Sequence, residues 1–235
     1  STPIVLRAAV PPVTPGLAIA YDPRVATMIS EVLQSTLYDV TGNLAGDNAV
    51  TIGGSPYTIT TRNTGSGAPI QQATQYVYEC MEGMGLAVSY QNWSTSRYSN
   101  RNVIGAKTGK TRPTEIVLVT AHLDDMPRGS TAPGADDNAS GSAAVLVASQ
   151  ILASRDFERT VRFVFFTGEE QGLYGSDAYA HAAGRVDVVV TNTNGGTATR
   201  ARAFTFVVPP TITSITPTSG RTAGSTRVTV RGTGV

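Results

Sequence analysis

EIVLVTAHLDD (115–125), APGADDNASGSAA (132–144) and VRFVFFTGEEQGLYGS (161–176) are the three passages on which the reading of this chain turns. The first and third run from an almost unbroken apolar segment straight into imidazole or carboxylate side chains. Such a run is the pattern of a strand covered on both faces. The middle passage sets two aspartates in a Gly-flanked turn that opens a helix. In sheets layered with helices, ligands bind beyond the C-terminal ends of the strands. His122 and Glu169 both fall there, directly after EIVLVT and VRFVFF.

The donor types suit a pair of metal ions. Zinc takes His nitrogen and carboxylate oxygen where no thiolate is offered, and a two-metal site needs a carboxylate that bridges ions ~3.5–4 Å apart. His122 can supply the nitrogen, with Asp124 two residues on to hold its ring in place. Asp136 is placed to be the bridge. In Glu169-Glu170 one carboxylate can bind metal while its neighbour acts as general base. Singly, each feature has a plainer meaning. A strand-end His is often an ordinary hydrogen-bonded residue, Asp136-Asp137 a turn and helix cap, and Glu169-Glu170 a solvated pair. All three plain meanings would have to hold at once, and two like carboxylates after a Phe-rich strand call for a nearby cation. The joint pattern favours metal.

Outward from these passages, Asp22-Pro23 reads as a helix start, with Asp as cap and Pro at the first helical position. Val25, Met28, Ile29, Val32, Leu33 and Leu37 follow at helical spacing, predicting one helix with an apolar face, ended by Gly42 and Gly46. A second helix is expected from about Pro69 to Met84, with Gly85 at its end. A third covers Ser140 to Ala153, and a shorter one ends near Gly184. Short β-type runs at 86–90 and 102–106 precede the long apolar strands. Strands alternating with helices imply an α/β fold, a three-layer α/β/α sandwich around a mostly parallel or mixed central sheet.

After Gly184 the texture changes. VDVVVTNTNGGTATRARAFTFVV (186–208) is two alternating runs about Gly195-Gly196, a hairpin signal, and TITSITPTSGRTAGSTRVTVRGTGV (211–235) is again all-β in pattern. The expected organisation is an N-terminal arm over 1–21, an α/β domain over 22–184, and all-β pieces over 185–209 and 210–235.

Composition narrows the function classes. Hydrophobic residues at 40% and charged residues at 15% argue against wholesale disorder. A net charge of +1 without a basic block gives no footprint for nucleic acid, and no apolar run approaches the ~20 residues of a membrane span. Cys80 is alone, which leaves no disulfide framework and no thiolate metal site. It reads as a small buried side chain on a helix. The chain opens with neither Met nor a charged-then-apolar leader, as expected of a mature chain. Low charge with many Thr, Ser and Gly suits an exported bacterial protein.

AHLDD (121–125), PGADDNASG (133–141) and FFTGEEQGLYGS (165–176) closely resemble the co-catalytic zinc aminopeptidase family, which includes bacterial aminopeptidase S and, more distantly, glutamate carboxypeptidase and glutaminyl cyclase. TRNTGSG (61–67), QQATQYVYECMEGMGL (71–86) and NVIGAKTG (102–109) resemble it too, so the likeness spans roughly 22–183. The resemblance implies two zinc ions and removal of the N-terminal residue from a peptide substrate. It implies His122 as a ligand of the first zinc with Asp124 behind it, Asp136 as the bridge, Glu169 as general base and Glu170 as a ligand of the second zinc.

The same resemblance implies two further ligands, an Asp at the end of the next strand and a His near the domain's C-terminus. The chain has two histidines, His122 and His181, and His181, in SDAYAHAAGR (176–185), reads as a helix-surface residue. Asp187 stands at the start of VDVVVTN; Asn192 and Asn194 occupy its end. The tail instead resembles immunoglobulin-like TIG (IPT) modules, with the closing strands of one over 185–209 and the opening strands of another over 210–235. The expectation is a zinc aminopeptidase shortened at its C-terminal end and impaired in activity. The alternatives are a non-catalytic exported protein whose β tail contacts extracellular glycans or proteins, and another two-metal hydrolase on the same core.

Overall fold

The computed structural model describes residues 21–126, 131–183, 185–191, 197–205, 211–217 and 229–233. They belong to two compact units, Pro23–Ala182 and a second made of the terminal segments Ser1–Asp22 and Ala183–Val235. The N-terminal arm up to residue 20 lies outside the described residues.

The single helix expected from Pro23 is two, α1 (Pro23–Ser30) and α2 (Gln34–Ala45), separated where Leu33 turns extended at φ −97° and ψ 130°. α1 buries none of its residues, and Val25 and Ile29 stay exposed, so its apolar spacing does not mark a core face. Gly42 lies inside α2, and Gly46 ends it at φ 85°, where a Cβ would meet the Ile59 carbonyl oxygen at 2.6 Å. A short hairpin follows, β1 (Val50–Ile52) and β2 (Ser55–Tyr57). α3 (Ala68–Gly83) then leads into β3 (Ala87–Ser94), β4 (Ser99–Lys107) and β5 (Arg112–His122). An irregular turn at Ala135–Ala139 opens α4 (Ser140–Ala153), followed by β6 (Arg159–Phe166) and α5 (Tyr174–Ala183).

The sheet runs in the order β3-β4-β6-β5, with β6 parallel to β5 and antiparallel to β4. It is mixed, as expected. Its register sets His122 opposite Phe166, so the two strands that carry the donor motifs end level with each other. Alternation along β6 supplies the layers. Val161, Phe163 and Phe165 join a core with Ile70, Val77 and Met81 of α3, Leu146 of α4 and Leu44 of α2. On the opposite face Arg162 donates to the Tyr179 hydroxyl of α5 at 3.2 Å, and Phe166 meets that ring edge-on. Helices on both faces make the α/β/α sandwich.

EIVLVT departs from expectation. Among the described residues β5 is an edge strand, and Ile116, Val117 and Leu118 remain 42%, 47% and 48% exposed. A run of apolar residues reports hydrophobicity alone, and an edge strand with the same composition gives the same run. Truncating fully buried Phe163 to Ala should therefore cost about 3–5 kcal/mol, whereas Val117→Thr should stay within about 0.5 kcal/mol. Urea unfolding midpoints at constant slope compare the two.

In the other unit, β7 (Arg185–Thr191) pairs antiparallel with β8 (Thr197–Thr205), and β9 (Thr211–Thr216) with β10 (Thr229–Thr233). Thr191 faces Thr197, so the two runs pair antiparallel as the hairpin signal implies, while 192–196, with Asn192, Asn194 and Gly195-Gly196, lie outside the described residues. No helix among the described residues is long and apolar enough to cross a membrane.

Candidate metal centre

Three segments converge at the C-terminal ends of β5 and β6. His122 closes β5, with Nδ1 3.2 Å from the Asp124 backbone oxygen and Nε2 3.1 Å from Asp137 Oδ1. A proton on Nδ1, donated to that carbonyl, leaves the Nε2 lone pair facing a carboxylate oxygen. Two such acceptors at this distance need a proton or a cation between them. Glu170 completes the group: one ligand atom each from His122, Asp137 and Glu170 lie within 4.8 Å of one another.

The carboxylate beside His122 Nε2 is that of Asp137, whereas the expectation named Asp136. The turn is closed by a hydrogen bond from the Ala139 N–H to the Gly134 oxygen at 2.9 Å. Within it the backbone leaves helical geometry at Asp137 (φ −120°, ψ 93°) and Asn138. The departure begins at Asp137 and not at Asp136, so the two side chains leave the turn in different directions, and Asp137 alone of the pair joins His122 and Glu170. Asp136 is exposed, and its carbonyl accepts the Ser140 hydroxyl at 3.0 Å. No sequence periodicity distinguishes the two in an irregular turn.

Asp124 also acts differently from expectation. It is its backbone oxygen that meets the His122 ring, while its fully buried carboxylate stands 3.9 Å from Nδ1, beyond hydrogen-bonding reach. That carboxylate instead accepts the N–H groups of Glu169 at 3.2 Å and Glu170 at 3.3 Å, and the Thr64 hydroxyl at 3.0 Å. It anchors the GEE turn. The turn is tightened by Tyr174 N–H donating to Gly168 O at 3.0 Å, and Gly168, at φ 78°, leaves no room for a Cβ against the Trp93 ring. Glu169 follows in the same turn but is not among the three grouped donors.

Electrostatics agree with a cation site. Burial, then the carboxylates of Asp137 and Glu169, raise the Glu170 pKa, with His122 opposing. Burial raises Asp124, opposed first by the Glu169 N–H and then by the Thr64 hydroxyl. Asp125, fully buried, is pushed up to about 6 by burial against the pull of Arg62. Crowded carboxylates with raised pKa values are relieved by a positive charge among them. One imidazole nitrogen and two carboxylate oxygens are a donor set that fits zinc.

His181 is not part of this group. It lies on α5 with Nδ1 2.9 Å from the Asp177 oxygen and 3.3 Å from Asp177 Oδ2. The side chain of Asp187 lies outside the described residues. Three residues that support the centre, Arg62, Thr64 and Asp125, had no assigned role in the sequence. TRNTGSG marked their neighbourhood only as a likeness.

Gly134 offers a test of the turn. Its φ is 44°, and an added Cβ would lie 2.6 Å from the Asp137 oxygen and 2.7 Å from Asp125 Cβ. Gly134→Ala is expected to lose about 1–3 kcal/mol and to weaken the stabilisation that added zinc gives. Gly54→Ala, also at positive φ but with nothing within 4 Å, should keep that stabilisation. Thermal melts with and without zinc report both effects.

Among known families, the sequence profile of peptidase family M28 matches residues 102–231, more than half of the chain, continuing through the 184–186 boundary into β10. Aminopeptidase YwaD of Bacillus subtilis is 40% identical over 82 residues, 34% of this chain and 17% of that protein. Probable lipoprotein aminopeptidase LpqL of Mycobacterium tuberculosis is 44% identical over 91 residues, 38% of this chain and 17% of that protein. Probable leucine aminopeptidase 2 of Aspergillus fumigatus is 33% identical over 148 residues, 61% of this chain and 28% of that protein. The matches therefore span less than a third of these curated relatives. LapB from Legionella pneumophila superposes with a TM-score of 0.57 at 19% identity, over 71% of this chain and 43% of that one. BSAP, a zinc aminopeptidase from Bacillus subtilis, superposes with a TM-score of 0.53 at 15% identity, over 62% and 64%. At these identities the structural likeness is one of fold.

Proposed function

Because this chain belongs to peptidase family M28, we propose that it carries a zinc-dependent aminopeptidase centre that removes the N-terminal residue from peptides. The observation that supports this most is the meeting of His122 Nε2 and Asp137 Oδ1 at 3.1 Å, with Glu170 in the same group. His122, Asp137 and Glu170 would hold the metal, with Asp137 in the bridging role. When bound there, zinc supplies a Lewis acid for the scissile carbonyl and acidifies water near neutral pH.

The chain's own groups do the rest. The Asp124 carbonyl, by accepting the His122 Nδ1 proton, keeps Nε2 free to donate its lone pair. The Asp124 carboxylate holds the Glu169 and Glu170 backbone in place. A Glu169 carboxylate oxygen takes a proton from the attacking water and delivers it to the leaving amine nitrogen.

His122 is the one imidazole of the grouped donors, with His181 held by Asp177 on α5. This favours a second reading, in which the chain as it stands keeps zinc more weakly and turns over more slowly than the two-ion family pattern. We place the chain outside the cytoplasm. A TIG-like reading of 185–209 and 210–235, with contacts to extracellular glycans or proteins, rests on their Thr-rich pattern and the pairings β7–β8 and β9–β10, while the M28 profile covers the same strands up to residue 231. The lipoprotein name of one relative is in keeping with that location.

Hydrolysis of leucine p-nitroanilide by the purified chain separates these readings. Activity removed by chelation and restored by zinc is the expected result. Zinc binding without hydrolysis would favour the second reading, and hydrolysis indifferent to chelation would overturn the metal mechanism.

A further inference from the structure

Residues 60–64 contribute no donor to the metal group, yet they are bonded to every segment that does. Ala132 N–H donates to the Thr60 oxygen at 3.1 Å, and Thr61 and Asn63 bridge in parallel to Ala132 and Asp125. Arg62 is fully buried, and its guanidinium donates four hydrogen bonds to backbone carbonyls and pairs with one carboxylate. Nε donates to Leu123 O at 2.7 Å, Nη1 to Leu44 O and to Pro133 O at 2.7 Å, and Nη2 to Gly134 O at 2.9 Å. Nη2 also pairs with Asp125 Oδ2 at 3.4 Å. Leu123 adjoins His122, and Pro133-Gly134 leads into the turn of Asp137. Thr64, also buried, accepts the Gly168 N–H at 2.9 Å and donates to Asp124 Oδ2 at 3.0 Å, the carboxylate that holds the Glu169 and Glu170 N–H groups.

A buried guanidinium is tolerated only when its charge and donors are all satisfied. Structural need alone would be met by any set of acceptors. Here four of the five partners lie within four residues of His122 or Asp137, and the Thr64 hydroxyl joins the third arm. We propose that residues 60–64 are a positioning element of the metal centre: Arg62 sets the spacing of His122 from Asp137, and Thr64 registers the Glu169-Glu170 turn on Asp124. The inference rests on His122, Asp137 and Glu170 holding metal. A lysine cannot replace Arg62, because an ammonium has three donors and no planar fork.

The test compares zinc affinity by competition titration, and the visible spectrum of the cobalt-loaded chain, across five proteins: wild type, Arg62→Lys, Thr64→Val, Thr64→Ser and Val77→Ala. Val77 lies in the core on α3 and serves as a destabilised control. Arg62→Lys and Thr64→Val should weaken zinc by about 10- to 100-fold and alter the cobalt spectrum. Thr64→Ser, which keeps the hydroxyl, should restore both, and Val77→Ala should lower thermal stability with affinity and spectrum intact. Should Arg62→Lys fail to fold, the Thr64 pair decides. Folded Thr64→Val with wild-type affinity and spectrum, or Thr64→Ser as weak as Thr64→Val, overturns the positioning role alone. A wild-type chain that binds neither metal overturns the metal reading and this inference together.

Discussion

Asp137→Asn is expected to weaken zinc binding by more than the 10- to 100-fold typical of residues behind the ligands, whereas Asp136→Asn should leave it unchanged. The two aspartates are adjacent and both exposed, so charge count and surface position predict equal effects. The difference arises from the backbone. Asp137 stands at the departure from helical geometry with Oδ1 3.1 Å from His122 Nε2, while Asp136 is outside the donor group. An amide at 137 keeps the shape but removes the anionic oxygen, which makes the pair a clean comparison. Titrating zinc into each variant, with melting temperature as a check on folding, gives the result. Equal losses in the two variants would mean that the turn adopts another geometry when metal binds.

Glu169→Gln should lower peptide hydrolysis by about 10²–10⁴-fold, the range that a positioned general base contributes, with zinc affinity nearly unchanged. Glu169 and Glu170 share one turn, and the Asp124 carboxylate holds both backbone N–H groups. Only Glu170 joins His122 and Asp137. The mirror variant, Glu170→Gln, should lose zinc first and activity as a consequence. Measuring kcat and zinc content on both separates the roles: a Glu169 variant that loses zinc in step with activity would make it a ligand rather than a base.

How much of this could be read from the sequence differs from residue to residue. The positions of His122 and Glu170 were legible because apolar runs that stop abruptly mark strand ends, and β5 and β6 do end level. The α/β/α layering followed from alternation of strand and helix patterns. Asp136 and Asp137 could not be told apart, since side-chain direction in an irregular turn has no period. The edge position of β5 was invisible because hydrophobicity is the same for central and edge strands. The break at Leu33 interrupts spacing that would suit one helix. Arg62 and Thr64 act on partners some 60 to 100 positions away in the chain, and no local pattern encodes contacts of that span. The bonds of the Asp124 carboxylate could not be read for a related reason: its neighbour in sequence is His122, but they run to a different strand's turn.

We propose that His122, Asp137 and Glu170 together hold zinc. Equilibrium dialysis of the full chain against zinc at neutral pH, followed by elemental analysis, tests it most directly. Zinc retained in stoichiometric amount by the wild-type chain, and lost from His122→Ala under the same conditions, is the predicted result. Zinc no higher than the dialysis buffer in the folded wild-type chain, or equal zinc in the two proteins, would contradict it.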